Sequence, residues 1–193
     1  IDLFQLHNPS RELIQQGDLV SVLEGLRTEG KIRFIGISVH TAAEALAAIG
    51  DSRIQTIQII LNLLDQRMAE KLLPEAEQKD VGVIVREPLA SGLLSGKYAP
   101  AHEFPKDDHR RRWTPEKREA DWRKIQLVRE VLKRVSLPLS KAALEFALAF
   151  GAVSTVIVGA KTGAQVLENI SASRKPALSP EEVMQLKELY ARE

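Results

Sequence analysis

Cysteine is absent from the 193 residues. That excludes disulfides, thiolate catalysis and cysteine zinc sites, and it fits a reducing compartment, so a cytoplasmic protein is expected. Charge of one sign is absent too. Lys and Arg total 27 against 26 Asp and Glu, for a net charge of +1, which asks for neither nucleic acid nor an anionic membrane. No apolar run approaches the roughly 18 residues that span a bilayer. No stretch reads as a basic-then-apolar leader. Four histidines, at positions 7, 40, 102 and 109, form no compact ligand motif, so no metal site is expected. No G-x-G-x-x-G follows a strand, which leaves a Rossmann reading without a motif. The chain opens on Ile-Asp-Leu-Phe, already inside an apolar run and without Met. An excised or incomplete product is the expectation.

The rest of the composition is ordinary: 44% apolar and 27% charged residues suit a globular protein. The length suffices for one core, and residues 1–193 are expected to form a single domain. Short β-rich segments recur at Ile1–His7, Ile32–Ser38, Thr56–Asn62, Val81–Arg86 and Ser154–Gly159. Several are continuous apolar runs, as in Val83-Ile84-Val85, which suits strands covered on both faces. Helical patterns fill the gaps. Leu19, Val22, Leu23 and Leu26 form one stripe, and Ile125, Val128, Leu132 and Val135 another. Ala142–Phe150 is apolar nearly all round and reads as a buried helix. Ser179, Pro180 and Glu182 carry the N-cap, first-turn proline and capping-box partner of a last helix. Thr162 and Gln165 repeat that spacing one helix earlier. Strands alternating with helices predict a parallel sheet, doubly wound or a (β/α)8 barrel.

Each strand closes on a small or polar residue: His7-Asn8-Pro9, Ser38-Val39-His40, Asn62, Arg86-Glu87-Pro88 and Gly159-Ala160-Lys161. In a parallel barrel such ends share one face and build the active site. Two of them suit phosphate. Pro88 to Lys97 offers glycines for close backbone approach, two hydroxyls and an ammonium. Gly159-Ala160-Lys161-Thr162 runs into a helix N-terminus, with free N–H groups and a positive dipole end. Residues 99–115 form a Pro- and charge-rich loop long enough to be functional.

The segments IDLFQLHNP, GKIRFIGIS, QIILN, VREPLASGLLSGKY and VIVGAKTGAQVLENISA closely resemble, in order and spacing, successive motifs of the aldo-keto reductases. The resemblance runs from residue 1 to about residue 190. It implies an α/β fold of the parallel (β/α)8 TIM-barrel type, entered at the fourth strand and incomplete, with about five of eight strands present. It also implies an NADP(H)-dependent oxidoreductase that reduces aldehydes and ketones to alcohols by hydride transfer. Such catalysis uses Asp, Tyr, Lys and His, with proton donation from Tyr and stabilisation of a developing alkoxide.

Carried over residue by residue, His7 falls on the histidine that hydrogen-bonds the carbonyl oxygen. Ser38 and Gln58 match the positions that hold the nicotinamide carboxamide, although Val39 stands where an Asn is usual. Arg86 takes the place of an aromatic that stacks on the nicotinamide, and a planar guanidinium can also stack. Pro88, Leu89, Ser91, Leu93 and Lys97 match the pyrophosphate-side loop. Gly159, Lys161, Thr162, Gln165, Glu168 and Asn169 match the adenosine end, the last three on one helical face. Lys161 favours a 2′-phosphate, hence NADP over NAD, while Glu168 pulls the other way. Arg110, in the long loop beside Arg111 and Arg112, is expected to clamp the cofactor.

The resemblance implies that the Asp, Tyr and Lys lie in three βα units outside these residues. The two tyrosines, Tyr98 and Tyr190, match no general acid, so this polypeptide alone is expected to reduce carbonyls poorly or not at all. Five parallel strands cannot close an eight-stranded barrel. Open edges then invite self-association or pairing with a complementary N-terminal segment. The competing readings are a non-catalytic nicotinamide-nucleotide-binding or regulatory subunit, and a remnant with neither activity. Substrate identity is not legible in these residues.

Overall fold

The computed structural model describes residues 1–174 and 176–191. Contacts divide them into two compact units. The first comprises Ile1–Leu61, Arg67–Arg86 and Phe150–Ile157; the second comprises Asn62–Gln66, Glu87–Ala149 and the chain from Val158 onward.

The first unit is built on five parallel strands, β1 (Leu3–His7), β2 (Phe34–Ser38), β3 (Thr56–Ile60), β4 (Gly82–Arg86) and β5 (Val153–Val156). Their spatial order is strictly sequential, with β1 and β5 at the edges. A doubly wound sheet would reverse direction at a switch point. The sequential order is that of a barrel wall, so the α/β architecture expected from the sequence is present in its TIM-barrel-like form.

One face of the sheet is apolar. Ile35, Ile37, Val39, Ile57, Ile59, Leu61, Val83 and Val85 are all 0% exposed. Each contributes on the order of 2–3 kcal/mol of burial, and β-branching suits the pleat. Helices α1 (Arg11–Gln16), α2 (Asp18–Thr28), α3 (Ala42–Ala48) and α4 (Leu72–Gln78) accompany the strands, and α2, α3 and α4 pack on β2, β3 and β4.

The opposite face corrects the sequence reading. Gln5, Gly36 and Thr56 lie side by side in register, and the next row is His7, Ser38 and Gln58. These rows on β1, β2 and β3 are polar, while Ile84 and Ile60 share the same face beside Gln58 and Arg86, so this side of the sheet is mixed rather than continuously apolar. Gly36 is required there: a Cβ at that position would stand 2.2 Å from Thr56 Oγ1 and 3.0 Å from Gln5 Cγ. The α2 stripe is corrected as well. Val20 and Leu23 are its buried residues, while Val22 is 64% exposed. One residue of phase separates the two readings.

Strand limits also differ. β3 stops at Ile60, and Asn62 instead makes an isolated bridge with Asp65. β5 stops at Val156, although Ile157 N still donates to Val85 O at 2.8 Å. Gly159 therefore lies in irregular chain beyond the strand, not at its last position.

The second unit holds α5 (Pro115–Leu132), α6 (Leu139–Leu148), α7 (Gly163–Arg174) and α8 (Pro180–Ala191), with α5 against α8 and α6 against α7. Ile125, Val128 and Leu132 are buried as their spacing predicts, but the helix ends before Val135. In α6 every residue from Ala142 to Ala147 is buried. That run includes Glu145, whose Oε2 accepts from Ala177 N at 2.7 Å and Leu178 N at 3.0 Å, pinning the approach to α8. The capping box expected for α8 is present: Ser179 N donates to Glu182 Oε2 at 2.8 Å, and Glu182 N to Ser179 Oγ at 3.3 Å.

Candidate functional site

In the first unit, three expected site residues form one row across adjacent strands, with His7 and Ser38 at the last positions of β1 and β2 and Gln58 at the middle of β3. His7 pairs with Ser38, and Ser38 with Gln58. In-register residues of parallel strands project to the same side, so imidazole, hydroxyl and carboxamide share a face. Ser38 is 3% exposed, and its Oγ donates to Asn8 Oδ1 at 3.3 Å. Asn8 is left-handed at φ 52° and returns its own N–H to Ser38 O at 3.0 Å. This turn ties the end of β1 to the end of β2 directly behind His7. Val39, by contrast, is buried on the apolar face. Its backbone N–H bonds Gln58 O at 3.0 Å.

Arg86 pairs with Ile60, one row beyond Gln58 on the same face. Its guanidinium does not turn outward. Nη2 lies 3.3 Å from the Val39 carbonyl and 2.9 Å from His40 Nδ1.

In the second unit, the segment Glu87 to Gly96 is unusual in its backbone. Glu87, Ala90 and Ser91 have φ of 54°, 47° and 51°, and Gly92 and Gly96 have 92° and 75°. A left-handed conformation at a non-glycine residue costs roughly 1–2 kcal/mol. Three such residues in one short segment persist only where the surroundings enforce them. The enforcing contacts are identifiable. Asn62 Nδ2 donates to Glu87 O at 3.0 Å. Ser91 Oγ donates to Glu87 Oε2 at 3.4 Å, and Ser95 Oγ to Gly92 O at 2.6 Å. Leu93 and Leu94 are buried anchors, and Pro88 is buried with them. Leu89 is half-buried, and Lys97 projects into solvent. Within it the N–H groups of Ala90, Gly92 and Leu94 donate to Glu87 O, Leu89 O and Leu89 O at 2.9, 2.9 and 3.1 Å, so the segment closes on its own carbonyls.

Arg110 is not poised as a mobile clamp. Its Nη2 lies 2.6 Å from Asp108 Oδ2 and its Nε 2.9 Å from Asp108 Oδ1, while Nη1 donates to Ser91 O at 3.0 Å. The guanidinium also stacks over the Phe104 ring at 4.1 Å and the Tyr98 ring at 4.9 Å. Hydrogen bonding from Arg110 holds the Asp108 carboxyl far below the usual carboxylate range. Arg110 thereby fastens the long loop to the left-handed segment. Arg111 and Arg112 are exposed.

At the start of α7, Lys161 N donates to Gln165 Oε1 at 2.7 Å, and Gln165 N to Thr162 Oγ1 at 3.3 Å. Thr162 thus caps the helix as its spacing predicts. Gly159 and Lys161 are exposed. Glu168 Oε1 accepts from Ser140 Oγ at 2.7 Å, and Asn169 is half-buried. Two of the three polar side chains on this helical face therefore already hold a protein partner.

Sequence reasoning missed Asp108, His40 and Ser140. Only Asp108 left a local signal, since Asp-x-Arg also occurs at Asp51 and Arg53 with the same fork: 2.6 Å from Nη2 to Oδ2 and 2.9 Å from Nε to Oδ1. His40 and Ser140 act across 46 and 28 residues.

Comparison with known proteins identifies the family and the fold. Residues 1–191 match the Aldo/keto reductase family. The chain is 31% identical over 189 residues to the uncharacterized oxidoreductase YqkF of Bacillus subtilis, covering 96% of this chain and 59% of that protein. Among solved structures it is similar to aldo-keto reductase AKR11C1 from Bacillus halodurans in its holo form. There the TM-score is 0.75 and identity 30%, over 98% of this chain and 60% of that one. It is also similar to the glycerol dehydrogenase AKR11B4 from Gluconobacter oxydans, with a TM-score of 0.77 and 26% identity, over 100% of this chain and 59% of that one. The chain thus spans about three-fifths of the length of these relatives. With the family match running over residues 1–191, the chain belongs to the aldo/keto reductase family.

Proposed function

We propose that these residues form the nucleotide-binding part of an NADP(H)-dependent reductase of small aldehydes and ketones. The observation that carries this reading is the in-register row of His7, Ser38 and Gln58 across three adjacent strands. The segment from Glu87 to Gly96, with its two glycines and two serine hydroxyls, is assigned to the pyrophosphate. The reading takes residues 1–193 as one domain and as the later portion of a barrel, from its fourth strand onward.

Ser38 and Gln58 would hold the carboxamide of the nicotinamide, and Arg86 would lie flat against its ring. Pro88, Leu89, Ser91, Leu93 and Lys97 would line the pyrophosphate, with Arg110 fixing that segment from behind. Gly159, Lys161, Thr162, Gln165, Glu168 and Asn169 would meet the adenosine end. When bound, the reduced nicotinamide supplies the hydride. His7 would donate a hydrogen bond to the carbonyl oxygen, stabilising the alkoxide as it forms. No residue here is assigned as proton donor. Tyr98 lies beneath Arg110, and Tyr190 beneath Lys124 at 5.0 Å.

The alternative reading is a non-catalytic nucleotide-binding or regulatory subunit. Calorimetric titration with NADPH alongside aldehyde turnover separates the two. Binding with turnover supports the reductase, binding alone supports the subunit, and the absence of binding rejects both.

A further inference from the structure

The ends of β4 and β2 are joined by a contact that passes over the strand between them. β3 separates the two in the sheet, yet Arg86 Nη2 reaches His40 Nδ1 at 2.9 Å and the Val39 carbonyl at 3.3 Å. A guanidinium offers only donors and keeps its charge throughout the accessible pH range. His40 Nδ1 must therefore present its lone pair, which defines a neutral imidazole protonated at Nε2.

The mount of that imidazole is rigid. The backbone N–H groups of His40 and Thr41 both donate to Glu44 Oε2, at 3.0 and 2.9 Å. Glu44 N returns a bond to Thr41 Oγ1 at 3.2 Å, completing the capping box of α3. The His40 ring itself is exposed. The charged groups that face it are Arg86 from β4 and Glu44 from the first turn of α3.

We infer that His40 is a positioning residue: its neutral ring fixes the plane of the Arg86 guanidinium against the nicotinamide, and protonation of the ring releases it. This rests on the proposed role of Arg86. The physical basis is a simple opposition. Protonation removes the only lone pair that Nδ1 can offer and sets a second positive charge at hydrogen-bond distance from the first. Glu44 pulls the other way by attracting a charged ring, but its Oε2 is committed to two backbone donors. Nicotinamide nucleotide affinity should therefore weaken when the ring takes up a proton, with the sign set by loss of the Arg86 contact.

The test compares wild type, His40→Gln and His40→Ala for NADP⁺ affinity by calorimetry at pH 8 and pH 5.5. Nitrogen-15 NMR reads the state of the His40 ring without nucleotide. Gln keeps an acceptor but does not titrate. Wild type should show the Nε2–H tautomer at pH 8 and bind several-fold more weakly at pH 5.5. His40→Gln should match wild type at pH 8 and lose that extra weakening. His40→Ala should bind roughly tenfold more weakly at pH 8, the size of one lost bond to a charged group, and show the same flat profile. A wild-type pH profile in His40→Ala, or a proton on Nδ1 at pH 8, overturns the inference while leaving the proposed function standing. No NADP⁺ binding by wild type at either pH overturns the proposed function and the nucleotide role of His40 with it.

Discussion

Arg110 and Asp108 meet as a fork, with Nη2 2.6 Å from Oδ2 and Nε 2.9 Å from Oδ1, and this pair delivers Arg110 Nη1 to the Ser91 carbonyl. The same two-residue spacing at Asp51 and Arg53 gives the same fork. There it leads to Ser21 Oγ at 2.9 Å rather than to the left-handed segment. Asp108→Ala should therefore loosen residues 88–97, seen as faster amide exchange, and weaken NADPH binding about tenfold. Asp51→Ala should leave the exchange of 88–97 and the binding unchanged. Equal effects from both variants would show that the loss is general rather than transmitted through Ser91.

The charge state of Asp108 gives that relationship a pH signature. Hydrogen bonding from the Arg110 side chain and backbone lowers the Asp108 carboxyl below its ordinary value in the folded protein. A depressed carboxyl contributes stability that is full above its unfolded value and is lost as pH falls through the folded one. The fork should thus survive mild acid, in the range where exposed carboxylates already take up protons. Carbon-13 titration of the Asp108 side chain should show no protonation down to about pH 3, the region where an unperturbed Asp is mostly protonated. Protonation near pH 4 would break the argument.

Gly36 sits between Gln5 and Thr56 on the mixed face of the sheet. A methyl group there meets Thr56 Oγ1 at 2.2 Å, Gln5 Cγ at 3.0 Å and the Thr56 carbonyl at 3.2 Å. Gln5 can swing aside, but a β-branched side chain and a backbone carbonyl cannot. Gly36→Ala should destabilise the fold by roughly 1–3 kcal/mol in urea denaturation. Thr56→Ala in the same chain should recover part of that loss and not all of it, because the carbonyl contact stays. Full recovery would mean that the hydroxyl alone sets the need for glycine.

Local rules account for what was legible in the sequence. Caps at Thr162 and Ser179 depend on residues three apart, and both formed. Alternation with helices predicted a parallel sheet and left its strand order open, and His7 and Ser38 were legible as strand ends that fall in register. The mixed face was not legible, because in Ile-Gly-Ile-Ser glycine hides the alternation that its apolar neighbours imply. The exposed Val22 and buried Val20 show the same weakness on a helix: composition marks a stripe, while packing decides its phase. The engagement of Arg86 by His40 and of Glu168 by Ser140 depends on chain segments brought together only by folding. The family resemblance offered Arg110 as a clamp on the cofactor. Only geometry shows that its charge is already committed to Asp108.

The proposed preference for NADP over NAD rests on Lys161 and Glu168, whose surroundings differ. Lys161 is exposed at the approach to α7, with its backbone N–H bonded to Gln165 Oε1 and its ammonium facing solvent. Glu168 is anchored by Ser140 Oγ at 2.7 Å, so its negative charge is held in place on the same helix. A 2′-phosphate gains from the ammonium and is repelled by the carboxylate, whereas a 2′-hydroxyl is nearly indifferent to the first. Lys161→Ala should weaken NADPH about tenfold and NADH by no more than about twofold, the difference between a charge-assisted contact and a neutral one. Glu168→Gln keeps the Ser140 acceptor and removes the charge, and should shift the NADPH-to-NADH affinity ratio several-fold toward NADPH. Calorimetric titration of both nucleotides reads the two ratios directly. If Lys161→Ala weakens both nucleotides alike, the lysine acts on the shared pyrophosphate or adenine, and the 2′-phosphate must be met elsewhere.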